Sequence, residues 1–411
     1  MGIVKNSFKR KLLNPFKGDG WIWGCFGALA AISLISVYSS IGYSAIAEMG
    51  TTPDKAFGRH VLFVFASLIG IILLSNMDYR KFSKASWFGY VISIVLLVLV
   101  LVLGGDNAAG SGKSRWLYIP LIGRFQPSEL AKVVIIVYLA RLLAQEKDNL
   151  KEWATFRNIV LAVIFLLVFI IPDNLSTVII IFLVCFTMMG IAPVDGRYWR
   201  RTFFGIIALA LLAIFVGNQM KIPFLARSET WTNRIDNWLH FNPDELTQES
   251  MARMAVASGK FMGVGIGSTV QARLMTQANN DLIYAIIIEE SGMAGGIIVF
   301  LIYAFLYFRC IRIACRCKGP FGRMTVAGLG TLIFLQAAIH MGVSVGALPV
   351  TGQTLPFISS GGSAYLCMGL ALGIIQAVAQ DVKENELLEG KNASSQPFNH
   401  HKNLSNNESN N

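Results

Sequence analysis

The sequence predicts an all-α polytopic membrane protein with about ten transmembrane helices, both termini cytoplasmic, and a large extracytoplasmic loop between helices 7 and 8. Three observations carry that reading. The chain is 54% hydrophobic and only 14% charged, where a soluble domain carries about 25% charged residues. Apolar segments of spanning length recur along the whole chain. Lys and Arg collect in alternate connections between them.

The apolar segments fall near 21–43, 59–77, 86–104, 128–146, 157–172, 176–193, 202–217, 282–308, 325–346 and 363–380. The fifth and sixth are separated only by the tight PDNL hairpin. They define a membrane domain over 21–380, preceded by a basic cytoplasmic segment (1–20). The polar tail over 381–411 is too poor in apolar residues to fold alone and reads as disordered. The N-terminal segment has neither the apolar core nor the small-residue cleavage site of a signal peptide, so the first span serves as the insertion signal.

Orientation follows from the loop cations. With the N-terminus inside, the inner connections hold 23 Lys and Arg, and the short outer loops hold five: Lys55, Arg59, Lys113, Arg115 and Arg124. The net charge of +11 is therefore a topology signal. The cations flank apolar segments instead of forming one stripe, which excludes a nucleic-acid-binding class. The six cysteines lie in or beside apolar segments and complete no zinc pattern, so they are read as reduced and structural.

Two glycine-rich stretches carry no phosphate chemistry. GGDNAAGSGKS (104–114) has Asn107 where a phosphate loop needs glycine. GVGIGS (263–268) has no strand–helix context and reads as a close-packed loop turn.

Four outward-facing elements remain. In SRWLYIPLIGRFQPSELAK (114–132), Pro127 and Ser128 suit a helix start, placing Glu129 in the first turn. Lys132 follows three residues later on the same face. The pair either neutralises itself or holds a cation for an anionic headgroup, with Arg115 and Arg124 nearby. The long outer segment 218–281 carries Arg234 and Arg253 beside Trp231 and Trp238, and arginines of this kind grip phosphates by forked hydrogen bonds. In QANNDLIYAIIIEESG (277–292), Asp281 opens a span that buries Glu289 and Glu290. One continuous helix would set Asp281 and Glu289 about 80° apart around the axis and about 12 Å along it. The two glutamates either hold the bundle together or serve the site. Finally, ALPVTGQTLPFISSGGSAYL (347–366) is free of charge and broken by Pro and Gly. Irregular backbone at membrane depth needs protein or water to satisfy it, so this re-entrant loop lines the same cavity. Its hydroxyls at Thr351, Ser359 and Ser363 are candidate substrate contacts.

Together and in this order, QPSELAK (126–132), NDLIYAIIIEESG (280–292) and LPVTGQTLPFISSGGS (348–363) resemble the SEDS family (shape, elongation, division and sporulation), which includes FtsW and RodA. The sequence departs from the family pattern at Asn279, Asn280, Asn174 and Ser360. The resemblance implies a peptidoglycan glycosyltransferase of the cytoplasmic membrane that polymerises lipid II beside a class B penicillin-binding protein and other divisome proteins. It also implies Asp281 as general base, and Lys132, Arg115 and Arg234 as cations for the lipid pyrophosphate. The resemblance specifies no cofactor and leaves room for a divalent metal. The basic N-terminal segment and polar tail lean towards an FtsW-like division protein over a RodA-like elongation polymerase. Two rivals stand beside this reading: a lipid II flippase using the buried carboxylates as a proton relay, and a non-catalytic scaffold.

Overall fold

Helices dominate because each long apolar segment can satisfy its backbone only internally once it leaves water. The computed structural model describes residues 16–49, 52–103, 116–119, 123–172, 174–206, 208, 228–240, 247–269, 271 and 281–394. In chain order the elements are α1 (Gly20–Met49), α2 (Pro53–Ser75), α3 (Arg80–Leu103), a two-stranded hairpin of β1 (Leu117–Ile119) and β2 (Gly123–Phe125), α4 (Pro127–Gln145), α5 (Trp153–Ile170) and α6 (Leu175–Ile191). Then come α7 (Ser228–Leu239), α8 (Gln248–Gly259), α9 (Ile283–Arg316), α10 (Pro320–Ser344) and α11 (Gly362–Ser394). Residues 196–206 are also helical.

Among the described residues, seven helices are long and apolar enough to cross a membrane. They are α1, α2, α3, α5, α9, α10 and α11. The expected fourth span is α4, which carries Glu129, Lys132 and Arg141 among its 19 residues. The expected sixth is α6, 17 residues long, and the expected seventh lies largely outside the described residues.

Local sequence explains the ends of these elements. Asp19 caps α1, its carboxylate accepting from the backbone N–H groups of Trp21 and Ile22 at 2.9 and 3.2 Å. Asn174 caps α6 by accepting from Ser176 N–H at 3.0 Å. At α4 the cap differs from expectation: Gln126 is the N-cap residue and makes no side-chain cap bond. Ser128 lies inside the first turn with its hydroxyl buried and unpartnered, so Pro127 at N1 sets this start by its fixed φ.

The core sits around α10, which packs against α4, α6, α9 and α11, while α11 lies along α2. In α10 and α11, 67% and 83% of the most apolar window is buried, against 22% in α2; α2 therefore lies at the edge of the bundle, with Leu62, Phe65, Ile69 and Leu73 exposed. All six cysteines are free, and burial pushes the Cys317 thiol up from its ordinary value. The boundary drawn at residue 380 falls inside α11, which continues to Ser394. Glu386 and Glu389 on that extension reach Arg316, at 3.2 Å, and Lys318. Over 381–394 the polar composition that suggested disorder is that of a helix laid against the basic end of α9, and residues 395–411 lie outside the described residues.

Candidate functional site

The site is built at the end of the bundle opposite that basic cluster. The backbone from Gly346 to Gly361 is irregular, and its polar groups are met by side chains from elsewhere in the chain. Trp238 on α7 donates its indole N–H to the carbonyl of Gly346 at 3.0 Å. Arg234, one turn earlier, donates to the carbonyl of Val350 at 3.2 Å. Arg253 of α8 lies against Gly346 and pairs with Glu249 at 2.8 Å. The outer helices thus clamp the first half of the loop.

Asp281 approaches the same loop. A Cβ at Gly352 would stand 3.6 Å from its Oδ2, so the carboxylate rests against bare backbone. Gly352 has φ of +63°, a left-handed conformation that costs a side-chain-bearing residue about 1–2 kcal/mol. Asp281 is half-buried.

Lys132 sits deeper, and its surroundings differ from those of an open cation. The side chain is 0% exposed and all three ammonium protons have acceptors. They are Glu129 Oε1 at 2.8 Å, Gln336 Oε1 at 2.9 Å and Gln353 Oε1 at 3.3 Å. Gln353 in turn donates to Thr177 Oγ1 at 3.0 Å, and Gln336 donates to the Thr354 carbonyl at 2.9 Å. The Gln353 carbonyl can only accept, so His340 Nδ1 donates to it, at 2.8 Å. The second oxygen of Glu129 and Nε2 of His340 are buried and unpartnered. Lys132 therefore ties α4 and α10 to the residues that follow Gly352. A bare ammonium at this depth would be costly, and the Glu129 pair with its two amides offsets that cost.

The hydroxyl candidates divide. Thr351 is half-buried beside Gly352. Ser359 is buried, and its oxygen accepts from the N–H of Leu355 at 2.8 Å, shaping the turn around Pro356 and Phe357. Ser363 is buried in the first turn of α11. Arg115, Asn279 and Asn280 lie outside the described residues, and Arg124 is exposed on β2.

The span opened by Asp281 is not one helix. Leu282 is the non-helical N-cap residue of α9, and Gly292 breaks it with φ of +75°. The angle and rise expected between Asp281 and Glu289 therefore do not hold. At the break, the turn after α8 bonds to both helix halves. Val264 N–H donates to Glu289 O at 2.9 Å and Gly265 N–H to Glu290 O at 3.1 Å. In return Met293 N–H donates to Lys260 O at 2.9 Å. The glutamate side chains seal the same junction. Glu289 accepts from the Thr269 hydroxyl at 2.6 Å and from Gln271 N–H at 3.3 Å. Glu290 accepts from Gly267 N–H at 3.1 Å and from the Ser39 hydroxyl. GVGIGS is thus a turn tied by its backbone to the break, but close-packed only at Gly263. A Cβ at Gly267 would meet nothing within 4 Å, and Val264 and Ile266 are exposed. The expected tight packing therefore holds at one glycine, and the two glutamates anchor the turn.

Sequence reasoning passed over Gln336, His340 and Gln353. The signal was present in α10, where Gln336 and His340 are polar residues one turn apart inside an apolar span. Among the described residues, no group of three or more His, Cys, Asp or Glu gathers to hold a metal.

Comparison with known proteins gives a consistent picture. The sequence model for the FtsW/RodA/SpoVE family, described as cell cycle protein, matches residues 20–384. Similar chains include a probable peptidoglycan glycosyltransferase FtsW from Hydrogenovibrio crunogenus, 31% identical over 89% of this chain and 92% of that one. Stage V sporulation protein E of Bacillus subtilis is 31% identical over 86% of this chain and 94% of its own length. A solved peptidoglycan synthase complex, described as coordinating polymerization and crosslinking, contains a chain that superposes with TM-score 0.67 at 23% identity, covering 89% of this chain and 98% of that one. The rod shape determining protein RodA of Thermus thermophilus superposes with TM-score 0.61 at 20% identity, covering 89% and 97%. These superpositions show a shared polytopic fold.

Proposed function

This chain belongs to the FtsW/RodA/SpoVE family of cell cycle proteins, and from that premise we propose that it is a peptidoglycan glycosyltransferase that polymerises lipid II on the outer face of the cytoplasmic membrane. The observation that carries the assignment is the Asp281 carboxylate set against Gly352, where the irregular loop meets the outer helices. Nucleotide sugars are absent outside the cell, so the donor must arrive activated on a lipid pyrophosphate. Asp281 takes the proton of the acceptor sugar hydroxyl. The hydroxyl oxygen attacks the donor anomeric carbon with inversion, and the bond to pyrophosphate breaks. Undecaprenyl pyrophosphate leaves with the bonding pair, its charge met by Arg234 and, in our reading, Arg115.

Lys132 and Glu129 belong to the site as positioning residues in this account, because their hydrogen bonds end on Gln353, next to Gly352. Thr351 is the hydroxyl best placed for substrate; Ser359 and Ser363 shape the turn that carries it. A class B penicillin-binding protein is the proposed partner, together with other divisome proteins. The FtsW names among the relatives favour division over elongation.

Reconstitution separates this reading from a flippase. The purified chain and its partner, with the transpeptidase blocked, are supplied with lipid II in proteoliposomes. Glycan strands are expected on gels. Headgroup movement across the bilayer without polymer would overturn the assignment in favour of transport.

A further inference from the structure

We infer that the cytoplasmic end of the bundle carries a headgroup site for an anionic glycerophospholipid of the inner leaflet, separate from the outer site. A cleft of about 540 Å³ opens between the start of α1, the end of α9 and α11. Four cations line it, Arg309, Arg312, Arg316 and Lys383, against two carboxylates, Asp19 and Glu386. Arg309 pairs with Asp19, and Arg316 with Glu386 at 3.2 Å. Among the described residues, Arg312 and Lys383 have no carboxylate within ion-pair distance, which leaves the cleft two positive charges in excess.

The approach to the cleft identifies the occupant. Leu301, Phe305, Phe308 and Arg312 are spaced four, three and four residues apart, so they lie on one face of α9, and all four are exposed. Arg312 extends over the Phe308 ring, 5.7 Å from its centroid. Trp21, 63% exposed at the cleft rim, packs edge-on against Phe305 at 5.7 Å. An indole at the rim marks the depth of the membrane interface, and the apolar stripe runs from there into hydrocarbon. An acidic peptide or a free phosphate would use the cations and leave the stripe idle. A phospholipid uses both, its phosphate at Arg312 and Lys383 and an acyl chain along Phe308, Phe305 and Leu301. Anionic lipids of the cytoplasmic leaflet supply that charge at that depth.

The test is native mass spectrometry of the full chain in detergent, titrated with phosphatidylglycerol, with phosphatidylcholine of the same acyl chains, and with glycerol 3-phosphate as competitor. Preferred binding of phosphatidylglycerol is expected, with little displacement by glycerol phosphate. Arg312→Gln or Lys383→Gln should weaken it about fivefold each, and both together about thirtyfold, at roughly one basic contact's worth apiece. Lys81→Gln with Lys84→Gln removes the same charge from exposed positions at the same bundle end, outside the cleft, and should leave binding unchanged. Equal binding of phosphatidylcholine, full displacement by glycerol phosphate, or an equal loss in the Lys81/Lys84 control would each overturn the site. The single variants keep the test decisive if the double variant fails to fold, as judged by its thermal midpoint.

Discussion

Lys132 carries its ammonium into a wholly buried position, held there by Glu129, Gln336 and Gln353. Its pairing with Glu129 was legible, because an i, i+3 spacing on a helix brings the two side chains together. Gln336 and Gln353 were not, since they stand 204 and 221 positions away and meet Lys132 only in the packed bundle. Replacing the ammonium alone, as Lys132→Met, strands the buried Glu129 carboxylate and should destabilise the chain by about 3–5 kcal/mol. Thermal unfolding in detergent reads this. The double replacement Glu129→Gln with Lys132→Met removes both charges and should recover much of the loss, whereas an additive loss would contradict a coupled pair. If the pair serves to position the loop, the double variant should still polymerise more slowly than the native chain.

At the scale of elements, the break in α9 is the feature that periodicity concealed. The segment 282–308 reads as one span despite Glu289 and Glu290, and Gly292 alone gives no warning in a sequence that already holds Gly295 and Gly296. The interruption becomes visible only with GVGIGS beside it, because each supplies the backbone partners the other lacks. A Cβ at Gly292 would overlap the Phe261 carbonyl, and φ of +75° already disfavours one. Gly292→Ala should therefore cost about 3 kcal/mol from strain alone, measured as a lowered unfolding midpoint. Gly27→Ala on α1, which meets nothing within 4 Å, should be neutral or stabilise by about 1 kcal/mol at most. Similar losses at both positions would mean that the junction is not held as described.

For the whole molecule, fold class was readable because span length and loop charge are set by the bilayer, whatever the packing inside. The ends of elements were less so. Composition did not report that residues 381–394 continue α11, where Glu386 and Glu389 meet Arg316 and Lys318. Exposed pairs of this kind contribute about 0–1 kcal/mol each. Glu386→Gln with Glu389→Gln should lower the unfolding midpoint only slightly and leave polymerisation intact; lost activity would show that the cytoplasmic extension matters to the outer site. In the proposed mechanism the bundle holds Asp281 beside the loop at Gly352 as the catalytic base. The most direct measurement is polymerisation of purified lipid II by Asp281→Asn with its penicillin-binding protein partner, at a thermal midpoint matching the native chain. Glycan strand formation should fall about 100-fold or more; strand formation at the native rate would rule out Asp281 as the base.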